Sequence, residues 1–197
     1  QVSGRTLMSK DDLFLHTTHL PKTIVDRLER IALESPWYYA PDCALEMDVV
    51  ERLGLPSNPY FSYGMINNKG HINRKEFERY PWEFFDRAVK PEQYGFSAAN
   101  KLRAHITLQW PRPEMYGIPH NSHVDRPHNH LVALYYMNDS DGDTFFFEGE
   151  SDKVIHREPV ERGKLIVFNG HNKFHASSSP SKKIRLTLNV NYAEATP

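Results

Sequence analysis

From Ala98 onward, apolar and polar residues alternate in short runs broken by glycine, proline, asparagine and aspartate. A two-residue period of this kind belongs to strands. The runs are Leu102 to Trp110, His123 to Asp125, Leu131 to Met137, Thr144 to Phe147, Val154 to Pro159, Lys164 to Phe168, Phe174 to Ser177 and Ile184 to Tyr192. Strands this short, with turns between them, suit a jelly roll, two facing sheets whose mouth can enclose a ligand. Before Ala98 the period lengthens. Pro21 to Glu34 has a proline at its first turn and Ile24, Leu28 and Ile31 at helical spacing, which predicts an amphipathic helix. A second helix is expected over Pro81 to Val89, with Trp82, Phe85 and Val89 on one face as core residues. The pattern therefore predicts a mainly β (α+β) chain in one unit. Residues 1–97 form a helix-rich covering segment on an outer sheet face, and residues 98–197 form the jelly-roll core.

Composition narrows the setting. Lysine plus arginine number 24 against 25 aspartate plus glutamate, a formal net charge of -1, and no basic run marks a nucleic-acid-binding tail. No apolar stretch approaches the ~20 residues that cross a bilayer, and the polar start Gln1-Val2-Ser3-Gly4-Arg5 is unlike a signal peptide. The single cysteine, Cys43, reads as a partly buried apolar residue and fits a reducing compartment. An intracellular, cytoplasmic protein with neither a nucleic-acid nor a membrane partner is expected.

The candidate chemistry lies in the strand-rich half. His123 and Asp125 are two residues apart, so on an extended strand both side chains project to one face and can meet the same metal ion. A third nitrogen ligand from a later strand completes a two-histidine, one-carboxylate face that leaves the other side of an octahedral iron open. His175 and His171 compete for that place. His171 sits in the turn-forming Asn169-Gly170-His171-Asn172, whereas His175 opens a run that can be extended, which favours His175. In Lys183 to Asn191 the alternation sets Arg185, Thr187 and Asn189 on one face, where the arginine can hold a remote carboxylate by a forked, charge-assisted hydrogen bond. Metal and arginine together imply a dicarboxylate co-substrate.

With eleven histidines in 197 residues, an isolated His-x-Asp pair is weak evidence, and the ordered set carries the reading. His120, His128 and His130 flank the pair without matching it, and His128-Asn129-His130 reads as entry into a strand. Asn138 to Asp143 looks like a calcium loop, yet counted from Asp139 the sixth position is Thr144 where glycine is needed. A solvated hairpin turn is the reading there.

At these residues the chain resembles the iron(II)- and 2-oxoglutarate-dependent dioxygenases, in their prolyl-hydroxylase-like branch. The resemblance runs from about Leu102 to Tyr192. It rests on His123-x-Asp125, Leu134-Tyr135-Tyr136-Met137-Asn138, Gly142-Asp143-Thr144, Phe174-His175-Ala176-Ser177 and Arg185-x-Thr187. It implies a double-stranded β-helix, the cupin-like form of the jelly roll. His123, Asp125 and His175 are then the catalytic iron ligands. Arg185, with Thr187 beside it and Tyr136 donating, holds the distal carboxylate of 2-oxoglutarate. It further implies Fe(II), 2-oxoglutarate and O2 as reactants, ascorbate as a candidate reductant, and succinate, CO2 and a hydroxylated product. Asp125 favours hydroxylation, because halogenating relatives lack that carboxylate. The implied target is a prolyl or other peptidyl residue, with a small-molecule substrate as the alternative. A nucleic-acid demethylase would carry a second arginine where this chain has Asn191. One departure is that the family often has two glycines where this chain reads Asp141-Gly142-Asp143, so a differently shaped turn is expected. Pro111 to Pro119 and Tyr60 to Gly70 are candidate rim loops. A non-catalytic cupin-like module that binds metal without forming succinate is the alternative to an enzyme.

Overall fold

In the run from His130 to Tyr136 every residue is buried, as a strand covered on both faces requires. This run lies inside a seven-stranded sheet of the computed structural model, which describes residues 15–42, 47–67 and 82–195. In chain order the elements are β1 (His16–His19), α1 (Lys22–Leu33), β2 (Tyr38–Ala40), α2 (Met47–Leu53), β3 (Tyr60–Ile66), α3 (Trp82–Val89), β4 (Phe96–Gln109), β5 (His130–Tyr136), β6 (Thr144–Phe147), β7 (Val154–Glu158), β8 (Lys164–Asn169), β9 (His175–Ser177) and β10 (Arg185–Glu194). The large sheet runs β1-β8-β5-β10-β4-β3-β2 and the small one β7-β6-β9. Every pairing in both is antiparallel. Between the sheets, Phe146 of β6 packs with Val132, Leu134, Tyr136, Ile166 and Phe168 of β5 and β8, and Phe146 meets Phe168 edge to face at 5.0 Å. Two facing sheets with few helices make this a double-stranded β-helix, mainly β.

The helices cover the opposite face of the large sheet. On α1 the fully buried positions are Val25, Leu28 and Ala32, with Ile24 and Ile31 flanking them, so the helical face is rotated slightly from the predicted one. Arg162 anchors this helix with donors to Glu29 at 2.6 Å and Asp26 at 2.7 Å. Phe85 and Val89 of α3 are buried as expected, and Trp82 packs at their edge. Lys101 of β4 fastens α3 to the sheet by an ion pair with Asp86 at 2.7 Å, its ammonium lying over the rings of Trp82 and Tyr192. No helix among the described residues is long and apolar enough to cross a membrane.

The structure corrects three expectations. His123 to Asp125 is not a strand: His123 makes one isolated bridge and the chain bends at Asp125. Pro119 and Pro127 flank the segment, and neither has the N–H that a ladder needs. The turn from 138 to 143 is more than a solvated hairpin. Asp139 accepts the Arg162 backbone N–H at 2.9 Å, Asp141 accepts the N–H and hydroxyl of Ser181, and buried Asp143 pairs with Arg157. Each of those carboxylates is engaged by a protein donor. The N-terminal half also supplies β1, β2 and β3 to the large sheet, so Tyr60–Ile66 of the candidate rim is a strand paired with β2 and β4 and not a loop. Gln1 to Arg5, Cys43, Pro81 and residues 68–70 of the candidate rim lie outside the described residues.

Candidate metal and carboxylate site

His175 begins β9 of the small sheet, and the chain at His123 is tied to it by two backbone hydrogen bonds, His123 N–H to the His175 carbonyl at 3.1 Å and the reverse at 2.9 Å. The bridge brings the two imidazoles to a ring separation of 4.8 Å. The bend at Asp125 then returns a carboxylate between them, its Oδ1 lying 3.8 Å from each Nε2. The three ligand atoms lie within 4.8 Å of one another. In each ring the other nitrogen faces a main-chain carbonyl, Nδ1 of His123 at 3.3 Å from Asn121 and Nδ1 of His175 at 2.9 Å from Lys173. A neutral imidazole donating from Nδ1 presents its Nε2 lone pair inward, as a metal ligand must. Burial pushes the His175 imidazole down to about 4, with the neighbouring His123 acting in the same direction, so it stays neutral at ordinary pH. Phe168 at 5.0 Å holds its ring edge-on. Two nitrogens and one carboxylate oxygen on one side form the donor set of a non-haem iron(II) centre, and their convergence fits such an ion.

Asp125 is held from behind. Its Oδ2 accepts the side-chain amides of Asn189 and Asn191, both at 2.9 Å. Arg103 approaches Oδ1 at 3.3 Å and donates from Nε to the side-chain Oδ1 of Asn191 at 3.1 Å. Burial opposes the charged carboxylate, but Arg103, the two imidazoles and the Asn189 amide outweigh it and hold the pKa well below the usual carboxylate range. With both amides on Oδ2, Oδ1 is the oxygen left facing the two imidazoles, so Asp125 would offer a metal one oxygen.

A cavity of about 210 Å³ extends from this group along the inner face of β4 and β10. At its far end Arg185 is buried, donating to Gln109 Oε1 at 3.1 Å and to Thr144 Oγ1 at 2.9 Å. Thr187 lies alongside, its hydroxyl 2.5 Å from that of Thr107. The Tyr136 ring lies under the guanidinium, and its hydroxyl donates to Thr144 at 2.8 Å, so it reaches Arg185 through the threonine. His105 stands on the same wall; burial, then Arg103, lowers its pKa to about 3, and its Nδ1 is buried without a hydrogen-bond partner.

The structure thus brings together His123, Asp125, His175, Arg185 and Thr187 around one cavity, with Tyr136 packed behind. His171 is exposed in its turn and His130 opens β5 under Gly170, where a Cβ would lie 2.1 Å from the His130 Nε2. Arg103, His105, Gln109, Thr144 and Asn191 are site residues that sequence reasoning missed. For Arg103, His105 and Gln109 the signal was the alternation of β4 itself, which puts them and Thr107 on one face.

No protein-family model and no curated protein matches the sequence. Solved structures do match by fold. A 2OG-Fe(II) oxygenase family oxidoreductase from Burkholderia pseudomallei superposes with a TM-score of 0.60 at 14% identity, over 91% of this chain and 86% of that one. A Pseudomonas putida prolyl-4-hydroxylase gives 0.58 at 19% identity, over 92% of each chain. A Trichoplax adhaerens prolyl hydroxylase, solved in complex with a hypoxia inducible factor oxygen degradation domain peptide fragment, gives 0.59 at 12% identity, over 92% of this chain and 83% of that one. The chain has the fold of these oxygenases.

Proposed function

We propose that this chain is an iron(II)- and 2-oxoglutarate-dependent hydroxylase. The observation that carries the reading is that the His123, Asp125 and His175 ligand atoms converge at one part of a cavity and Arg185 stands buried at another. His123 Nε2, His175 Nε2 and Asp125 Oδ1 hold the metal. Arg185 holds the distal carboxylate of 2-oxoglutarate by charge-assisted hydrogen bonds, with the Thr187 hydroxyl beside it. Iron, when bound, supplies the O2 activation by which 2-oxoglutarate becomes succinate and CO2 while a substrate C–H becomes C–OH. The aromatic wall of Phe146 and Phe168 behind His175 keeps water from that side of the ligand set. Residues 1–197 act as one catalytic unit, a reading supported by the place of β1, β2 and β3 in the sheet that carries Arg185.

For the substrate, a prolyl or other peptidyl residue is our reading. Two likenesses support it: a prolyl-4-hydroxylase, and a prolyl hydroxylase bound to a peptide. The test is succinate formation from 2-oxoglutarate in the presence of Fe(II) and O2, with prolyl peptides screened for the mass gain of one oxygen. His123→Ala and Asp125→Ala are expected to abolish turnover. Arg185→Ala should raise the 2-oxoglutarate concentration required by at least about tenfold, the loss of a charged hydrogen bond. Tight metal binding with no succinate under any of these conditions would make the chain a cupin-like binding module instead.

A further inference from the structure

Arg185 is held by a chain of hydrogen bonds that runs from the cavity wall at Gln109 to buried His120 and Ser179. Guanidinium groups only donate, so Gln109 must turn Oε1 toward Arg185, at 3.1 Å. Its Nε2 then faces Ser177 Oγ at 2.9 Å and His120 Nδ1 at 3.3 Å. An imidazole that accepts at Nδ1 donates from Nε2, and that atom lies 3.0 Å from Ser179 Oγ. Ser177 Oγ is also 3.2 Å from His120 Nδ1, so Gln109 reaches His120 both directly and through Ser177, and Gln109, His120 and Ser179 are all buried. Arg185, Gln109, Ser177, His120 and Ser179 form one hydrogen-bonded relay behind the guanidinium. The other terminal nitrogen of Arg185 is fixed separately by Thr144. A guanidinium held at both terminal nitrogens has its plane defined before any ligand arrives, and preorganisation of this kind favours binding.

We propose that Gln109, backed by His120, is a positioning residue that fixes the Arg185 guanidinium for a five-carbon keto-dicarboxylate, setting affinity and chain-length selectivity at that end of the cavity. This deepens the hydroxylase reading and rests on it. Gln109 and His120 are outside the His123, Asp125 and His175 ligand set, so the relay acts on the co-substrate and leaves the metal alone.

The full chain is loaded with Mn(II), which binds without turnover, and titrated calorimetrically with 2-oxoglutarate and with its six-carbon homologue 2-oxoadipate. Gln109→Leu is expected to weaken 2-oxoglutarate by about tenfold, the loss of one hydrogen bond to a charged group. It should also narrow the preference over 2-oxoadipate and leave Mn(II) affinity within about twofold. His120→Leu should weaken 2-oxoglutarate about threefold, and it provides the same comparison should Gln109→Leu not fold. If the unaltered chain fails to bind 2-oxoglutarate, the hydroxylase reading falls. If it binds and both variants match it in affinity and selectivity, that reading stands and the relay proposal is overturned. Parallel loss of Mn(II) and 2-oxoglutarate affinity would make the relay a general structural support and also overturn it.

Discussion

Asp125 shows how far single residues constrain this site. A carboxylate has two oxygens, and here the amides of Asn189 and Asn191 occupy one while the other faces both imidazoles. Partners behind a metal ligand contribute to metal affinity by holding it in one orientation. Asn191→Leu removes one amide from Asp125 and the acceptor of Arg103 Nε, so Mn(II) affinity should fall about tenfold in a paramagnetic-resonance titration. Unchanged affinity would mean that Asn189 and Arg103 suffice. Sequence spacing made His123, Asp125, His175 and Arg185 legible, because few residue types ligate iron or clamp a carboxylate. Asn191 was legible only as the absence of a second arginine. Its contact with Asp125 depends on a bend in a segment that the alternation read as straight.

At the level of elements, the register of β4 against β10 organises the cavity. Across the two strands Arg185 pairs with Gln109, Thr187 with Thr107, Asn189 with His105 and Asn191 with Arg103. Each β10 residue of the site therefore has a polar neighbour on the same face, and a one-residue slip would turn the whole row into the apolar layer. Alternation along each strand was readable, but which residue of β4 stands beside which residue of β10 is a property of the pairing. For that reason Gln109 and Thr107 escaped notice while Arg185 and Thr187 did not. The β5–β6 connection adds a steric condition. A Cβ at Gly142 would lie 2.7 Å from the Ser178 carbonyl oxygen and 3.2 Å from Arg185 Cδ. Gly142→Ala should therefore cost about 1–3 kcal/mol in a urea unfolding experiment and weaken 2-oxoglutarate through the displaced arginine. An alanine variant as stable as the parent would show that the turn has room to move. One glycine meets this need, and Asp143 beside it is taken up by Arg157.

For the molecule as a whole, building a cavity from buried polar groups makes stability depend on pH. Burial, first among the causes, lowers His105 and His120 from 6.5 to about 3. Their contribution to stability is complete above the unfolded value and is lost as pH falls from 6.5 toward 3, because in that window the unfolded chain binds protons that the folded chain does not. Each histidine removes about 1.4 kcal/mol per pH unit, so the pair should lower stability by about 3 kcal/mol per unit. The urea midpoint of the metal-free protein is expected to drop clearly between pH 7 and pH 5; a constant midpoint would mean that these imidazoles reach solvent. The two-sheet architecture was legible because β5, β6, β7, β8, β9 and β10 each follow a clear run in the sequence. β1, β2 and β3 were not: β1 and β2 are edge strands of four and three residues, too short for an alternation to stand out, and β3, inside the sheet between β4 and β2, has no regular alternation across Tyr60–Ile66.

The central claim is that the two histidines and the aspartate hold iron(II) close enough to Arg185 for one 2-oxoglutarate molecule to engage both. Anaerobic addition of Fe(II) and then 2-oxoglutarate tests this directly, because a keto acid bound to the ferrous ion gives a visible charge-transfer band. The band should appear in the unaltered chain, require more 2-oxoglutarate in Arg185→Ala and be absent in Asp125→Ala. A solution of the unaltered chain that stays colourless at saturating Fe(II) and 2-oxoglutarate would contradict the account.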